Sequence, residues 1–152
     1  VTIQRFQNVY GPGQSLINSY TGIVSLFSQW AREGREIPVY EDGAITRDFV
    51  YIDDVADAVA AALVAGPDAA RLTMDIGSGI GTTILDLAGV IARYYGAPVP
   101  RVTGAYRDGD VRHAACDIEP TLAGLDWKPD WDVERGLAVL QVWIAEQLDV
   151  RR

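Results

Sequence analysis

Arginines set in loops carry the most direct chemical suggestion in this sequence. Arg47 sits in Thr46-Arg47-Asp48-Phe49-Val50-Tyr51-Ile52-Asp53-Asp54-Val55, and Arg107 and Arg112 share Arg107-Asp108-Gly109-Asp110-Val111-Arg112-His113. A guanidinium stays charged and offers a planar fork of donors that matches the paired oxygens of a phosphate. In a chain with a formal net charge of -8, positive groups placed in two loops point to an anionic ligand, and their number to a diphosphate. Pairing with Asp48 is the ordinary surface alternative for Arg47. Its place between a turn and a short strand that leads into a helix favours a cleft. For Arg107 and Arg112, local ion pairs with Asp108 and Asp110 explain the spacing equally well.

Proton-transfer groups are scarce, since Lys128 is the only lysine and His113 the only histidine. Free imidazole titrates near ~6.5 and could serve as a base, but no nucleophile lies beside His113 in the sequence. One histidine and one cysteine three residues apart do not make a metal site without carboxylates to complete it, so a structural histidine is the better reading. Cys116, between Ala115 and Asp117, reads as a small buried residue rather than a nucleophile.

These residues need elements to position them. Val1 to Phe6 reads as a strand, broken by Gly11-Pro12-Gly13. From about Tyr20 to Glu33 an apolar-rich helix is expected, with Ile23, Leu26, Phe27 and Trp30 on one face and Gly34 as its stop. Ile37-Pro38-Val39-Tyr40 is extended, Glu41-Asp42-Gly43 a turn, and the stretch around Phe49 and Tyr51 a second short strand. Asp53 or Asp54 can cap a helix over about Val55 to Ala65, ended by Gly66-Pro67. A buried strand follows over Leu72 to Ile76, then the glycine-rich Gly77-Ser78-Gly79-Ile80-Gly81 and a helix capped by Thr83, with Asp86 three residues on. The glycines suggest a dinucleotide-binding turn, but the fingerprint's third glycine would fall where Thr82 stands, and a structural turn is favoured. A short helix is expected from Pro120 to Leu125, and from Asp132 a final helix with Val133, Leu137, Leu140, Ile144 and Leu148 on one stripe. Core packing accounts for the four tryptophans. There is no internal repeat, linker or low-complexity tract.

The 152 residues, 49% hydrophobic and 22% charged, suit one globular domain. The acidic balance and pI near 4.5 argue against nucleic acid or a membrane surface as partner. A single cysteine allows no intrachain disulfide and points to a reducing cytoplasm. No apolar run reaches the ~18 residues of a membrane helix, and no signal peptide is evident. Val1 opens directly into strand-like sequence and the sole methionine is Met74, so the chain reads as a piece of a longer protein.

Taken in order, Arg5-Phe6-Gln7-Asn8-Val9-Tyr10-Gly11-Pro12, Arg47-Asp48-Phe49, Gly109-Asp110-Val111-Arg112-His113 and Leu125-Asp126-Trp127-Lys128-Pro129 resemble the extended short-chain dehydrogenase/reductase family, the NAD-dependent nucleotide-sugar epimerases and dehydratases. The resemblance extends over nearly the whole chain. It implies an α/β fold: the C-terminal half of a Rossmann-type enzyme, holding the last sheet strands and a small substrate-binding lobe over residues 1–152, with the cofactor-binding half and the main NAD site missing. The loop Gln14 to Gly22 resembles that of dTDP-rhamnose 4-epimerase-like members.

The same resemblance implies roles. Asn8 would contact the phosphates of a nucleoside-diphosphate sugar, Arg47 and Arg107 would clamp its diphosphate, and Asp110 would approach the ribose. Pro38 and Tyr40 would line the base pocket, Arg112 would join the substrate site, and Phe6 and Gln7 would lie beside the nicotinamide of NAD. A full-length parent would oxidise the sugar at C4 to a keto intermediate and re-reduce it, as a homodimer. A dehydratase or reductase of the same family, or a non-catalytic nucleotide-binding module, is the alternative. No catalytic residue is expected in this chain, because the family's Tyr-x-x-x-Lys pair is absent: Gly124 stands four residues before Lys128. The isolated chain is therefore expected to be inactive.

Overall fold

A computed structural model of the chain describes residues 2–16, 22–66 and 73–149. Val1, Leu72, Pro67 and the Asn18–Thr21 part of the loop before the first helix, all used in the reading above, lie outside the described residues.

The elements follow in the order β1 (Ile3–Phe6), β2 (Asn8–Tyr10), α1 (Ile23–Arg32), β3 (Pro38–Val39), β4 (Thr46–Tyr51), α2 (Ile52–Val64), β5 (Thr73–Ile76), β6 (Gly81–Thr83), α3 (Ile84–Tyr95), β7 (Arg101–Val102), β8 (His113–Ala114), α4 (Glu119–Gly124) and α5 (Val133–Asp149). The opening extended segment is shared between two partners. β1 runs parallel to β5, with Ile3 opposite Thr73 and Phe6 opposite Ile76. Beyond Gln7, whose N–H still donates to Ile76 O at 2.9 Å, β2 runs parallel to the second half of β4. The first half of β4 pairs antiparallel with β6 and parallel with β8. β3 and β7 form a separate parallel pair.

Alternation along β4 builds the core on both of its faces. Phe49 and Tyr51 point into a large cluster with Tyr10, Phe27, Ile37, Leu87, Ile91 and Leu140. Val50 points the other way, into a second cluster with Val55, Met74, Ile76, Leu125 and Trp127. Burying large aliphatic and aromatic side chains contributes ~1.5–3 kcal/mol each, which is why this strand is apolar on both sides from Phe49 onward.

Several local expectations are met and several are displaced. α1 ends where Gly34 takes a left-handed φ of 69°, letting Arg35 N–H donate back to Trp30 O at 2.9 Å. Thr83 caps α3: its hydroxyl oxygen accepts from Asp86 N–H at 3.0 Å, and its O–H donates to Asp86 Oδ2 at 2.6 Å. In α5, Leu137, Leu140 and Ile144 are buried, with Val133 and Leu148 packed against the same cluster. The helix after β4, however, begins at Ile52 with Tyr51 at its N-cap and no side-chain cap. Asp54 does not cap it, because its carboxylate is turned inward to accept from Asp130 N–H at 2.9 Å and Trp131 N–H at 3.1 Å.

The glycine-rich turn is likewise more than a strand-to-helix link, since β6 intervenes. Its N–H groups are taken by a carboxylate of the chain itself. Asp48, fully buried, accepts from Ser78 N–H at 2.7 Å, Ser78 O–H at 2.7 Å and Gly79 N–H at 3.0 Å. Gly77 is required by this closeness, since a β-carbon there would collide with Asp48 Oδ2 and Cys116 Sγ.

Gly77→Ala should therefore destabilise the fold by roughly 1–3 kcal/mol, read from urea unfolding. Asp54 gives a pH prediction. Burial raises its pKa above the ordinary 3.8, opposed by its backbone hydrogen bonds. A folded value above the unfolded one means that the folded chain binds the extra proton, so the group favours folding most below 3.8 and loses that contribution as pH rises through the folded value. The stability of the wild type relative to Asp54→Asn should fall with pH across that window.

Candidate functional site

α1, β2, β3 with the turn after it, the start of β4, the first residue of α3 and the loop after β7 surround a cavity of about 350 Å³. Such a volume is within the range of small-molecule sites. Its polar wall is formed by Asn8, Arg47, Arg107 and Asp110, and its apolar wall by Ile23, Leu26, Phe27, Trp30, Ile45 and Ile84, with Pro38 and Tyr40 between them. Six residues singled out in the sequence, spread from position 8 to position 110, thus share one cavity.

Each is placed by its element. Arg47 follows Thr46 on β4 and faces away from buried Asp48, because neighbouring strand residues project to opposite sides. Its guanidinium donates to Asp110 Oδ1 at 2.8 Å and to Thr46 O at 2.9 Å. Asp110 is held by a tight turn in which its N–H donates to Arg107 O at 3.1 Å, with Gly109 at φ 81° supplying the left-handed step. Among the described residues, the Arg107 guanidinium makes no hydrogen bond or ion pair. Asn8, exposed on β2, lies opposite Phe49 of β4. Tyr40 is 40% exposed at the end of β3.

Arg112 does not line the cavity. Its fork is spent on two carboxylates, Glu41 Oε2 at 2.9 Å and Asp42 Oδ2 at 2.5 Å. The hydrogen bond lowers the Asp42 pKa and raises that of Arg112. Phe6 and Gln7 also lie off the cavity, at the point where the opening segment passes from β5 to β4, and Phe6 is 47% exposed.

The sequence places Ile23, Leu26, Phe27 and Trp30 on one face of the helix but does not identify that face as the wall of a site. Ile23, Leu26 and Trp30 are only partly buried. The fully buried residues of α1 are Val24, Ser25, Phe27, Ser28 and Ala31, while Ile23 and Trp30 line the cavity and also pack against the edge of the same core cluster. The signal was present in the helix composition: two adjacent nonpolar or small-residue stripes are wider than one core-facing side requires.

His113 is exposed on β8, and among the described residues no cluster of His, Cys, Asp or Glu could hold a metal ion. No helix among them is long and apolar enough to cross a membrane. Cys116 is half-buried, with its S–H directed at Asp48 Oδ2 at 3.4 Å. Burial first, then the Asp48 charge, pushes its thiol up to about 12.

Residues 1–77 match the model of the NAD dependent epimerase/dehydratase family. The chain belongs to that family. It is 64% identical over 149 residues to a dTDP-L-rhamnose 4-epimerase of Burkholderia thailandensis, covering 98% of this chain and 41% of the relative. In three dimensions it is similar to the UDP-glucose 4-epimerase of Thermotoga maritima solved with UDP-glucose, with a TM-score of 0.86 and 32% identity over 97% of this chain and 46% of that one. The UDP-glucose 4-epimerase of Thermus thermophilus, solved with NAD, gives a TM-score of 0.79 at 27% identity over 95% of this chain and 46% of that one. The chain thus spans less than half the length of these relatives.

The match corrects part of the sequence reading. It begins at residue 1 and ends at residue 77, so the matched stretch is the N-terminal portion of the chain, containing the parallel strands β1, β2, β4 and β5. The expected assignment to a C-terminal half of a Rossmann-type enzyme, with the NAD-binding part missing, is not retained.

The raised thiol has a direct consequence, because the thiolate is the reactive form. Iodoacetamide at about pH 8 should label Cys116 in the folded chain at least about tenfold more slowly than in the urea-unfolded chain; equal rates would contradict its placement.

Proposed function

We propose that the cavity binds a nucleoside-diphosphate sugar, and that residues 1–152 form the substrate-binding part of an NAD-dependent nucleotide-sugar 4-epimerase. The single observation that carries this reading is the convergence of Arg47, Arg107 and Asp110 with an apolar, aromatic wall in one cavity. Arg47 and Arg107 supply charge for a diphosphate, worth about 1.5–3 kcal/mol per charge-assisted hydrogen bond. Asn8 adds an amide donor to the phosphates, and Asp110 accepts from the ribose hydroxyls. Tyr40 and Pro38 offer flat surface to the base, a favourable use of a ring with a polar tip. Arg112 belongs to the same site at one remove. The 64% identity to a dTDP-L-rhamnose 4-epimerase favours an epimerase and a thymidine or uridine nucleotide.

NAD, when bound, supplies the hydride exchange at the sugar's C4. Phe6 and Gln7 are suited to lie beside its nicotinamide, Phe6 through an exposed ring face and Gln7 through a side chain at the strand crossover. The role of the chain's own residues is to bind and orient the sugar nucleotide. No residue here is assigned the proton transfer, and the isolated chain binds without turning over.

Ligands that bind only the folded state raise its stability by mass action, about 2.7 kcal/mol at a hundredfold excess over Kd. For a chain of this size that is a rise of roughly 5–10 °C in the thermal midpoint. UDP, dTDP and UDP-glucose should each produce such a rise, and Arg47→Ala and Arg107→Ala should each weaken binding by about tenfold or more. An unchanged response in both variants would remove the proposed clamp.

A further inference from the structure

The segment carrying Arg107 and Asp110 has almost nothing to pack against. Every residue from Gly104 to His113 is exposed, so burial cannot fix its course, and specific polar contacts must do so. Asp110 is held directly by Arg47 of β4 at 2.8 Å; the remaining contacts out of the segment run to Val39 and Thr46 and, most densely, to Glu41 and Asp42 of the turn at residues 40–43. At the start of the segment, Thr103 N–H donates to Val39 O at 2.8 Å, Gly104 N–H to Glu41 O at 3.2 Å, and Glu41 N–H to Ala105 O at 2.7 Å. At its end, the Arg112 fork reaches Glu41 and Asp42, and Arg112 O accepts from Thr46 N–H at 2.8 Å.

Both ends are therefore tied to one turn, and Arg112 is the side chain that closes the second tie. Glu41 marks the tension of this arrangement. With φ of 50° it is the one non-glycine residue with positive φ among the described residues. That conformation is disfavoured for a side chain of its kind and persists where the surroundings over-determine it. Here the determinants are two backbone hydrogen bonds to the segment and the ion pair with Arg112. Tyr40, immediately before Glu41, and Arg47, immediately after Thr46, both line the cavity.

We propose that Arg112 is a positioning residue: by clipping the 103–112 segment to Glu41 and Asp42 it holds Arg107 and Asp110 toward the cavity, without touching the ligand itself. The proposal rests on reading the cavity as a diphosphate site. It differs in sign from a direct phosphate contact. If Arg112 bound phosphate, removing its carboxylate partners would free its charge and strengthen binding. As a clip, it loses its function whichever side of the ion pair is removed.

The test compares Arg112→Ala, the double variant Glu41→Gln/Asp42→Asn, and the triple combination. Hydrogen exchange over residues 104–111 is measured without ligand, UDP affinity by calorimetry, and the unliganded thermal midpoint as a check of folding. The clip predicts several-fold faster exchange in all three variants and a loss of roughly fivefold or more in UDP affinity in both Arg112→Ala and the double variant. The triple variant should be no weaker than Arg112→Ala, since interacting residues are non-additive, and the midpoint should hardly move. Unchanged exchange in Arg112→Ala, or a double variant that binds UDP as well as or better than wild type, would overturn the proposal. If the wild-type chain does not take up UDP, the diphosphate reading falls, and the exchange measurement alone still decides whether Arg112 positions the segment.

Discussion

The buried carboxylate of Asp48 is the constraint around which this fold is arranged. A carboxylate taken out of water is costly unless its oxygens are fully hydrogen-bonded, and here they accept from the backbone and side chain of the glycine-rich turn. The turn is thereby fastened to β4 at the point where the chain leaves the β1–β5 pair and enters β6. The alternation that buries Asp48 sends its neighbour Arg47 out on the opposite side. One polar anchor thus connects a backbone route to the direction of a cationic side chain, and the cavity inherits its principal charge from that geometry.

Asp54 repeats the device in the first turn of α2, just beyond β4. Its carboxylate binds the backbone at Asp130 and Trp131, and the Asp54 carbonyl accepts from the Trp127 indole N–H at 2.8 Å. Trp131 in turn lies 4.2 Å from the Tyr51 ring, with the Arg135 guanidinium 3.8 Å over its own ring. The approach to α5 is set by these contacts, and α5 completes the larger core cluster. β4 and the first turn of α2 are therefore each fastened to a distant backbone segment by a buried carboxyl group.

Much of the site was legible because its polar members are unusual where they stand. Guanidinium groups in loops of an acidic chain, an asparagine at a strand start and an aromatic beside a turn each carry a chemical reason for their type, and Asn8, Tyr40, Arg47, Arg107 and Asp110 do meet. What the sequence could not convey was partnership across space. The period-2 run of β4 says that it is a strand, but not that it pairs with β2, β6 and β8 along different parts of its length. The spacing of Asp54 suits a cap, yet the inward-facing backbone at residues 130–131 claims it. Ile23, Leu26 and Trp30 have the same periodicity whether they face a core or a cavity. Arg112 shares a motif with Arg107 and Asp110, but its partners lie some seventy positions earlier in a turn. The expected place of the chain within its family was likewise beyond what the order of motifs could fix.

The pairing of Arg47 with Asp110 means that the cavity presents an already compensated cation. An incoming anion would not meet a bare positive charge; it would have to displace a carboxylate, which then needs a donor of its own. A ligand carrying hydroxyl groups at a suitable reach from its phosphates could satisfy both residues in one exchange, whereas a plain anion would leave Asp110 stranded beside added negative charge. Selectivity for a sugar-bearing phosphate over inorganic salt would then reside less in the strength of either contact than in the requirement that two partners be rehoused together.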